Sequence, residues 1–411
     1  MPTNEEKQKE LSLVHLTQGK AFLKEKRYQE AMRELEEAIC LDPDNAKVHF
    51  QLAFTLDEME NIPAAISAYR SAIQIDPRDK FSHYNLGLLL HNEGQYEEAE
   101  QEYRRVIELD PQDTEAHYNL GGLLCYQERT KEAEQEYRKA IELSPDNADV
   151  QSDLGDLLSE VGRPEEAENA YREAIRLDSS HADARMNLGI LLHKRGAFEE
   201  AIAEYQQILS FQPDNTEALL NVGLAYSRLS KDQEAAQNFR EVLQRQPENV
   251  KAHLCLGKTL YNQAQYEEAQ EVFLHVIQLD PDNTEVYPLL TKTICLVSQQ
   301  MKTDTTLREK ILKKIMALLP LSGKAPVLNP NQEVTTMLEV LSKKITARPQ
   351  DFPILLHLGE TFHAQGQRQM ARQVWSLVAE HGDAEQKQIA LELLQRQSDT
   401  AEPAAGFWQT T

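Results

Sequence analysis

The sequence predicts an all-α fold built from stacked pairs of helices, and three observations lead to that prediction. A comparison of the chain with itself at an offset of 34 residues matches almost without a break from Ser12 to Asn283, which gives eight units without insertions. Small residues recur at two places of every unit, and proline recurs near the end of seven units. A repeat of this length buries its apolar face only against its neighbours, so the units are expected to stack.

Each unit is expected to hold two helices, A and B. Apolar residues recur at helical spacing in two stretches of about a dozen residues, which in the third unit predicts helices over 80–93 and 97–109. Counting places from 1 to 34, place 8 in helix A is always Gly or Ala and place 20 in helix B is always Ala. We interpret this pair as a close crossing of the two helix axes. The bulky residues at place 24 are expected to fill the space between units.

The end of each unit carries stop and start signals. Proline at place 32 ends helix B, because it lacks a backbone N–H and disfavours helix at the residue before it. Asn or Asp at place 34 is expected to cap the next helix A through its side-chain oxygen. The residues at place 34 are Asn45, Asp79, Asp113, Asn147, Asn215, Asn249 and Asn283. The fifth unit departs from the pattern with Ser179, Ser180 and His181, so its junction is expected to be softer.

These residues closely resemble the consensus of the tetratricopeptide-repeat family over about two thirds of the chain. The family implies a right-handed superhelical solenoid of helix-turn-helix repeats, with helix A of each unit lining a concave groove. The resemblance also implies a protein-binding role.

The predicted organisation has five parts. Residues 1–11 are an N-terminal lead, and 12–283 are the eight tandem units. Residues 284–351 form a divergent helical segment with a turn-rich loop at 320–332, and 352–397 form a terminal unit plus a polar capping helix. Residues 398–411, with Phe407 and Trp408, are expected to be a disordered tail.

Composition disfavours several classes of function. Acidic residues outnumber basic ones 67 to 43, for a net charge of −24, whereas nucleic-acid binding depends on Lys and Arg at the phosphates. No stretch is long and apolar enough to span a membrane, and the charged N-terminus lacks a secretory signal. The four cysteines lie far apart in the sequence and form no CxxC pair, which is typical of reduced thiols in a cytosolic protein. We therefore expect a cytoplasmic protein that binds neither nucleic acid nor membranes.

No catalytic, phosphate-binding or metal-binding motif occurs in the sequence, so neither enzymatic activity nor a cofactor is expected. Histidine recurs at place 4 in five units, namely His15, His49, His83, His117 and His253. A spacing of one whole repeat sets these imidazoles too far apart to share an ion. We interpret them as packing residues.

In the family geometry, the residues at places 2, 5, 6, 9, 12 and 13 of helix A point into the groove. The predicted partner-binding residues are Phe50, Gln51, Tyr84, Asn85, Tyr118, Asn119, Asp153, Asp156, Asn187, Lys194, Asn221, Arg228 and Lys258. Amides dominate place 6, and amides both donate and accept hydrogen bonds. A similar ladder is known in the repeat domain of O-linked N-acetylglucosamine transferases. The ladder is interpreted as binding a partner's extended main chain; alternatively, the amides bond to the adjacent unit and only stiffen the array.

The function predicted from these features is a non-catalytic scaffold or adaptor that binds a protein or an extended peptide. The groove is aromatic in units two to four, acidic in unit five, and apolar with flanking basic residues in units six to eight. One alternative is a substrate-recruiting subunit of an enzyme complex such as a glycosyltransferase, and another is a self-assembling homo-oligomer. A co-chaperone carboxylate clamp is disfavoured, because the first unit has Leu16 and Lys20 where Lys and Asn are needed.

Overall fold

The computed structural model describes residues 3–280, 283–286, 289–290, 292–293, 296, 356, 359, 363, 368–381 and 384–399. In this part of the chain all regular structure is helical. The predicted all-α fold of stacked helix pairs is thereby confirmed. Residues 297–351 of the predicted divergent segment, which include the loop predicted at 320–332, lie outside the described residues, and so does the predicted tail from residue 400 onward.

Sixteen helices form the eight repeats, with odd numbers for helix A and even numbers for helix B. They are α1 (Asn4–Lys24), α2 (Tyr28–Leu41), α3 (Ala46–Glu58), α4 (Ile62–Ile75), α5 (Lys80–Asn92), α6 (Tyr96–Leu109), α7 (Thr114–Tyr126), α8 (Thr130–Leu143), α9 (Ala148–Glu160), α10 (Pro164–Leu177), α11 (Ala182–Lys194), α12 (Phe198–Phe211), α13 (Thr216–Arg228), α14 (Asp232–Arg245), α15 (Val250–Asn262) and α16 (Tyr266–Leu279). Two further helices are α17 (Arg368–His381) and α18 (Ala384–Asp399).

The chain divides into two compact bodies, an N-terminal body of residues 1–191 and a C-terminal body of residues 192–411. In the N-terminal body, α1 to α10 pack in sequence, each against the next. The same holds for α12 to α16 in the C-terminal body, where α17 also packs on α18. Buried small and branched side chains recur in every repeat, and others lie in α17 and α18.

The turn between helices A and B has the same backbone conformation in every repeat. Place 15 always has a positive φ, which ends helix A in the left-handed region. The residues are Lys26, Glu60, Gly94, Glu128, Gly162, Gly196, Ser230 and Ala264, with φ between 56° and 82°. Glycine takes up this conformation without a steric penalty, so the other five repeats carry some strain here.

The caps of helix A agree with the sequence only in part. The side chains of Asp113, Asn215 and Asn249 each accept from a backbone N–H in the first turn, as does that of Asn147. The expectation was wrong for the two earliest junctions. Asn45 donates to Asp42 at 3.3 Å, and Asp79 Oδ2 accepts from the hydroxyl of Ser82 at 2.5 Å. A competing local hydrogen bond has taken the capping oxygen at Asp79.

In repeats 3 to 5, 7 and 8 the glycine at place 8 leaves room for the ring at place 24 of the same repeat. An ideal Cβ on Gly155 would lie 2.6 Å from a ring carbon of Tyr171, closer than carbon atoms can approach without displacement. The aromatic side chain therefore packs on helix A of its own repeat. In repeat 1 the same Cβ position would also lie 3.4 Å from the backbone oxygen of Ala31 at place 20. Repeat 2 has Ala53 at place 8 and still buries Tyr69 completely.

Two of the five recurring histidines each join three segments by hydrogen bonds. His83 Nδ1 contacts Glu102 of its own helix B at 2.5 Å, and its Nε2 lies 3.1 Å from the carbonyl of Pro77 in the preceding turn. His117 makes the same two contacts, with Glu136 and with the Pro111 carbonyl. Burial opposes the charged form of His83, but these hydrogen bonds outweigh it and raise its pKa.

The irregular junction after repeat 5 replaces its missing signals with other side chains. His181 Nδ1 accepts from the backbone N–H of Ala184 at 3.2 Å, as an Asx cap does elsewhere. Arg185 stands at place 4, and its Nε donates to the Ser179 carbonyl at 3.0 Å, where histidine meets the proline carbonyl in other repeats. Whether this junction is softer than the others stays a prediction.

Exposed ion pairs link successive B helices at fixed places. Arginine at place 25 meets glutamate at place 19 of the next repeat, with N···O distances between 2.6 and 3.6 Å. The pairs are Arg70–Glu98, Arg104–Glu132, Arg138–Glu166 and Arg240–Glu268. Each contributes at most about 1 kcal/mol because both partners are exposed to water.

Candidate functional site

The candidate site is the face of the A helices that carries places 2, 5, 6, 9, 12 and 13, here called the A face. In the N-terminal body this face leaves large aromatic side chains accessible. Phe81 is 61% exposed, Tyr126 is 71% exposed, and Phe54 is also exposed. Accessible aromatic side chains on rigid helices are typical anchors for a binding partner.

Hydrogen bonds run along the A face from one repeat to the next. Asn119 donates through Nδ2 to the hydroxyl oxygen of Tyr84 at 3.0 Å. The hydroxyl of Tyr118 in turn donates to Asp153 Oδ2 at 2.9 Å. Place 5 of one repeat therefore bonds to place 6 of the next, which brings four of the predicted site residues into direct contact.

Asp156 is the centre of a second group of contacts. Its Oδ1 accepts from the hydroxyl of Tyr171 at 2.7 Å and from Asn187 Nδ2 at 2.7 Å. Tyr171 comes from helix B of the same repeat and Asn187 from helix A of the next. The contribution of Tyr171 could not be read from the sequence, because place 24 was assigned to packing alone.

The two aspartates of repeat 5 are held in an environment that disfavours their charge. Burial raises the pKa of Asp153, against the hydrogen bond from Tyr118, and the carboxylates of Asp156 and Asp149 raise it further. Burial likewise raises the pKa of Asp156, although the bonds from Tyr171 and Asn187 oppose the shift. A cation at this position would relieve both effects.

The amides of place 6 retain acceptor capacity after these internal bonds. Asn85 donates to the backbone carbonyl of Phe81 at 2.8 Å, and Asn119 donates both to Tyr84 and to the carbonyl of Glu115. The bonds across repeats considered as the alternative are thus present at Asn119 and at Asn187. They all use the amide nitrogen, so the side-chain oxygens of Asn85, Asn119 and Asn187 can still accept from a partner's backbone N–H.

Phe50 and Gln51 begin the A face in repeat 2. Phe50 is half-buried and packs edge-on against Tyr69, with 5.8 Å between ring centroids. Gln51 is half-buried as well, and its backbone carbonyl accepts from the Thr55 hydroxyl at 2.7 Å.

The C-terminal body carries the remaining predicted residues. Lys194 and Arg228 are exposed in the last turns of α11 and α13, and Asn221 is half-buried in α13. Lys258 forms an ion pair with Glu285 at 2.5 Å. Leu220 and Leu254, at place 5 of repeats 7 and 8, are buried.

An aromatic cluster at the edge of repeats 3 and 4 was missed from the sequence. Tyr96 and Tyr126 lie parallel, with centroids 6.1 Å apart and an interplanar angle of 3°. The His91 ring packs edge-on against both tyrosines. His91 and Tyr96 stand at places 12 and 17 of repeat 3, and Tyr126 stands at place 13 of repeat 4. The aromatic character of these three places was the available signal.

Neither a metal site nor a membrane-spanning helix is present among the described residues. No group of three or more His, Cys, Asp or Glu side chains there could hold a metal ion. In the same part of the chain, no helix has the length and apolar character needed to cross a lipid bilayer.

Comparison with family models gives the same description along most of the array. Models described as tetratricopeptide repeat match residues 152–218, 112–180, 216–249, and both 22–86 and 233–293, and one described as TPR repeat matches 89–125. Together these matches span more than half of the chain. No curated protein matches it.

Several solved structures are similar to this chain. YrrB, described as a TPR protein with an unusual peptide-binding site, is 25% identical; the match covers 46% of this chain and 96% of YrrB, with a TM-score of 0.40. PilF from Pseudomonas aeruginosa is 22% identical over 50% of this chain and 94% of its own, with a TM-score of 0.44. A tetratricopeptide repeat protein from Parabacteroides merdae is 17% identical over 61% and 98%, with a TM-score of 0.45.

Proposed function

This chain belongs to the tetratricopeptide-repeat family, and from that premise we propose that it is a non-catalytic scaffold or adaptor that binds an extended segment of a partner protein. The binding surface is the A face, and its best-defined part runs from Phe50 to Asn187 in the N-terminal body. The observation that carries the proposal is the combination of accessible aromatic rings, free amide oxygens and carboxylates on one face. Aromatic rings supply binding energy and polar groups supply orientation.

The amide oxygens fit a partner in extended conformation. An extended chain presents backbone N–H groups at regular intervals, and it has no internal use for them. Asn85 and Asn119 are held in place by bonds through their nitrogens, so their oxygens are oriented before a partner arrives. Such preorganisation lowers the entropic cost of binding.

We further propose that the protein works in the cytoplasm and does not bind nucleic acid. Acidic residues exceed basic ones 67 to 43, so the surface repels phosphate. Lys194, Arg228 and Lys258 on the A face of the C-terminal body would then contact acidic side chains of the partner.

Site-directed photo-crosslinking tests the binding surface. A photoreactive phenylalanine analogue at Phe81 or Tyr126 should capture a discrete partner from the native cell, which mass spectrometry then identifies. The same analogue at Ser67, which is exposed on α4, is the matched control and should capture less. Equal capture at both kinds of position would refute a role for the A face.

A combined variant tests the amide ladder. Replacing Asn85, Asn119, Asn187 and Asn221 together by Ala should abolish capture of the crosslinked partner while the helical content stays unchanged. Undiminished capture by a folded variant would contradict the proposal.

Self-assembly is the second candidate function, because the first repeat leaves apolar surface bare. Val14 at place 3 is 47% exposed, and Leu11 and Leu13 beside it are exposed as well. Val48 and Val150, at the same place of repeats 2 and 5, are 0% exposed under the preceding helix pair. Light scattering over a range of concentrations decides between the two: a constant molar mass excludes self-assembly, and a rise that Val14→Lys removes supports it.

A further inference from the structure

A single glycine opens the floor of the A face in repeat 4. Place 9 of helix A carries a larger side chain in the other seven repeats. These residues are Lys20, Phe54, Leu88, Asp156, Ile190, Leu224 and Lys258. Gly122 occupies the place in α7, so the neighbouring side chains border a notch there, which we call the Gly122 notch.

The hydroxyl of Tyr137 forms the floor of the Gly122 notch. An ideal Cβ on Gly122 would meet that oxygen at 3.6 Å and no other heavy atom within 4 Å outside its own helix. Tyr137 itself is only 3% exposed. Among the described residues, its hydroxyl contacts only the Cys125 thiol, at 3.7 Å, which is a weak partner. The Tyr137 oxygen therefore retains the capacity to accept a further hydrogen bond.

The equivalent hydroxyls in neighbouring repeats are closed off in two different ways. In repeat 5 the hydroxyl of Tyr171 donates to Asp156, which stands at place 9. In repeat 3 place 9 is Leu88, and the Tyr103 hydroxyl is buried without a partner in the described structure. Repeat 4 alone combines a tyrosine at place 24 with a glycine at place 9.

The surroundings of the notch are negatively charged. Burial raises the pKa of the Cys125 thiol, and the carboxylates of Glu160, Asp153 and Asp156 raise it further. Within the described residues, neither Asp153 nor Asp156 forms an ion pair with lysine or arginine. The notch therefore combines a negative field with hydroxyl and carboxylate acceptors.

We propose that the Gly122 notch binds a basic side chain, lysine or arginine, of the extended partner segment. The cationic group donates hydrogen bonds to the Tyr137 oxygen and to the carboxylates of Asp153 and Asp156, while its aliphatic stem passes over Gly122. This inference rests on the proposed function, because it names the chemistry of one residue in the same partner. An acidic side chain would be repelled, and an uncharged one would leave both carboxylates without a cation.

Five pools of peptides, each with one fixed residue at the centre, test the inference. Each fluorescent nonapeptide pool carries Lys, Arg, norleucine, citrulline or Glu at its centre and random Gly, Ala, Ser and Thr elsewhere. Binding to the full chain is followed by fluorescence anisotropy. The Lys and Arg pools should bind at least about tenfold more tightly than the norleucine and citrulline pools, and the Glu pool should bind weakest.

Three variants test whether the preference for the Lys and Arg pools arises at the Gly122 notch. Gly122→Leu reproduces place 9 of repeat 3, fills the notch and should erase the preference for Lys and Arg. It should not lower the thermal stability, because leucine is the better helix former. Asp153→Asn combined with Asp156→Asn should erase the preference as well. Glu142→Gln removes one charge from helix B of repeat 4 and should leave it unchanged.

The outcomes separate this inference from the proposed function. Equal binding of the Lys and norleucine pools, or an unchanged preference in a folded Gly122→Leu variant, overturns the basic-side-chain inference. So does the absence of binding by all pools up to about 1 mM. None of these results bears on capture by the photo-crosslinker at Phe81, which decides the proposed function independently.

Discussion

Two adjacent glycines in α7 should respond in opposite directions to the same substitution. An ideal Cβ on Gly121 would lie 2.7 and 2.8 Å from ring carbons of Tyr137, whereas one on Gly122 makes only the ordinary contact of 3.6 Å. Both positions are helical, so replacement by alanine gains about 1 kcal/mol at each from the reduced freedom of the unfolded chain.

The difference between the two variants comes from the ring. At Gly121 the added methyl group must displace the buried Tyr137 side chain, and such overpacking costs about 1–3 kcal/mol. The free energy of unfolding should therefore rise by about 1 kcal/mol in Gly122→Ala and fall by up to about 2 kcal/mol in Gly121→Ala. Ala53 in repeat 2 shows that the array can accommodate such a methyl group, which favours the lower half of that cost.

Urea unfolding followed by circular dichroism measures the net effect. Because a repeat array need not unfold as one unit, hydrogen exchange of peptides covering α7 and α8 supplies the local value. Slower exchange in Gly122→Ala and faster exchange in Gly121→Ala are expected. A change of the same sign and size in both variants would refute the assignment of place 8 to the ring at place 24.

Three other substitutions test the contacts around the A face. His117→Phe should lower the free energy of unfolding by about 1–2 kcal/mol, because Glu136 loses its partner; His49→Phe, which breaks one contact and not two, should cost less in the same urea titration. Asp153→Asn should raise the urea midpoint near pH 7. The pKa of Asp153 in the folded protein lies above its ordinary value of 3.8, so the folded state binds the proton more tightly than the unfolded chain does. The stability that this gives is present below the unfolded pKa and is lost as the pH rises through the folded pKa. The difference in midpoint between Asp153→Asn and the parent protein should therefore vanish at about pH 3. His181→Ala should cost about 1 kcal/mol and speed exchange at the start of α11, whereas His181→Asn should retain the cap.

The sequence predicted the helices well because each repeat carries its own boundaries. For the third repeat it predicted 80–93 and 97–109, and α5 and α6 span Lys80–Asn92 and Tyr96–Leu109. Proline and the Asx residues act locally, so a single chain suffices to read them. Two caps were nevertheless wrong. Asp79 accepts from Ser82 in place of a backbone N–H, and Asn45 makes no cap although its amide nitrogen donates to Asp42 as those of Asn215 and Asn249 donate to a glutamine.

The candidate site was harder to predict, because its contacts join residues about one repeat apart. Tyr84 meets Asn119, and Tyr118 meets Asp153, only after the repeats have stacked. The periodicity placed these residues on one face but gave no distances between side chains. Gly122 was visible as the second member of a Gly-Gly pair, yet its meaning depends on the buried hydroxyl beneath it.

The arginine–glutamate pairs between B helices have a consequence for how such a chain can change its length. Arg104 finds Glu132, and Arg138 finds Glu166, at the same two places of successive repeats. Loss of residues 114–147 would set Arg104 against Glu166, so the shortened array would keep its outer contacts. The ion pairs between B helices should therefore survive duplication or deletion of whole repeats. What distinguishes one repeat from another is the few positions that break the period, such as Gly122 and His181.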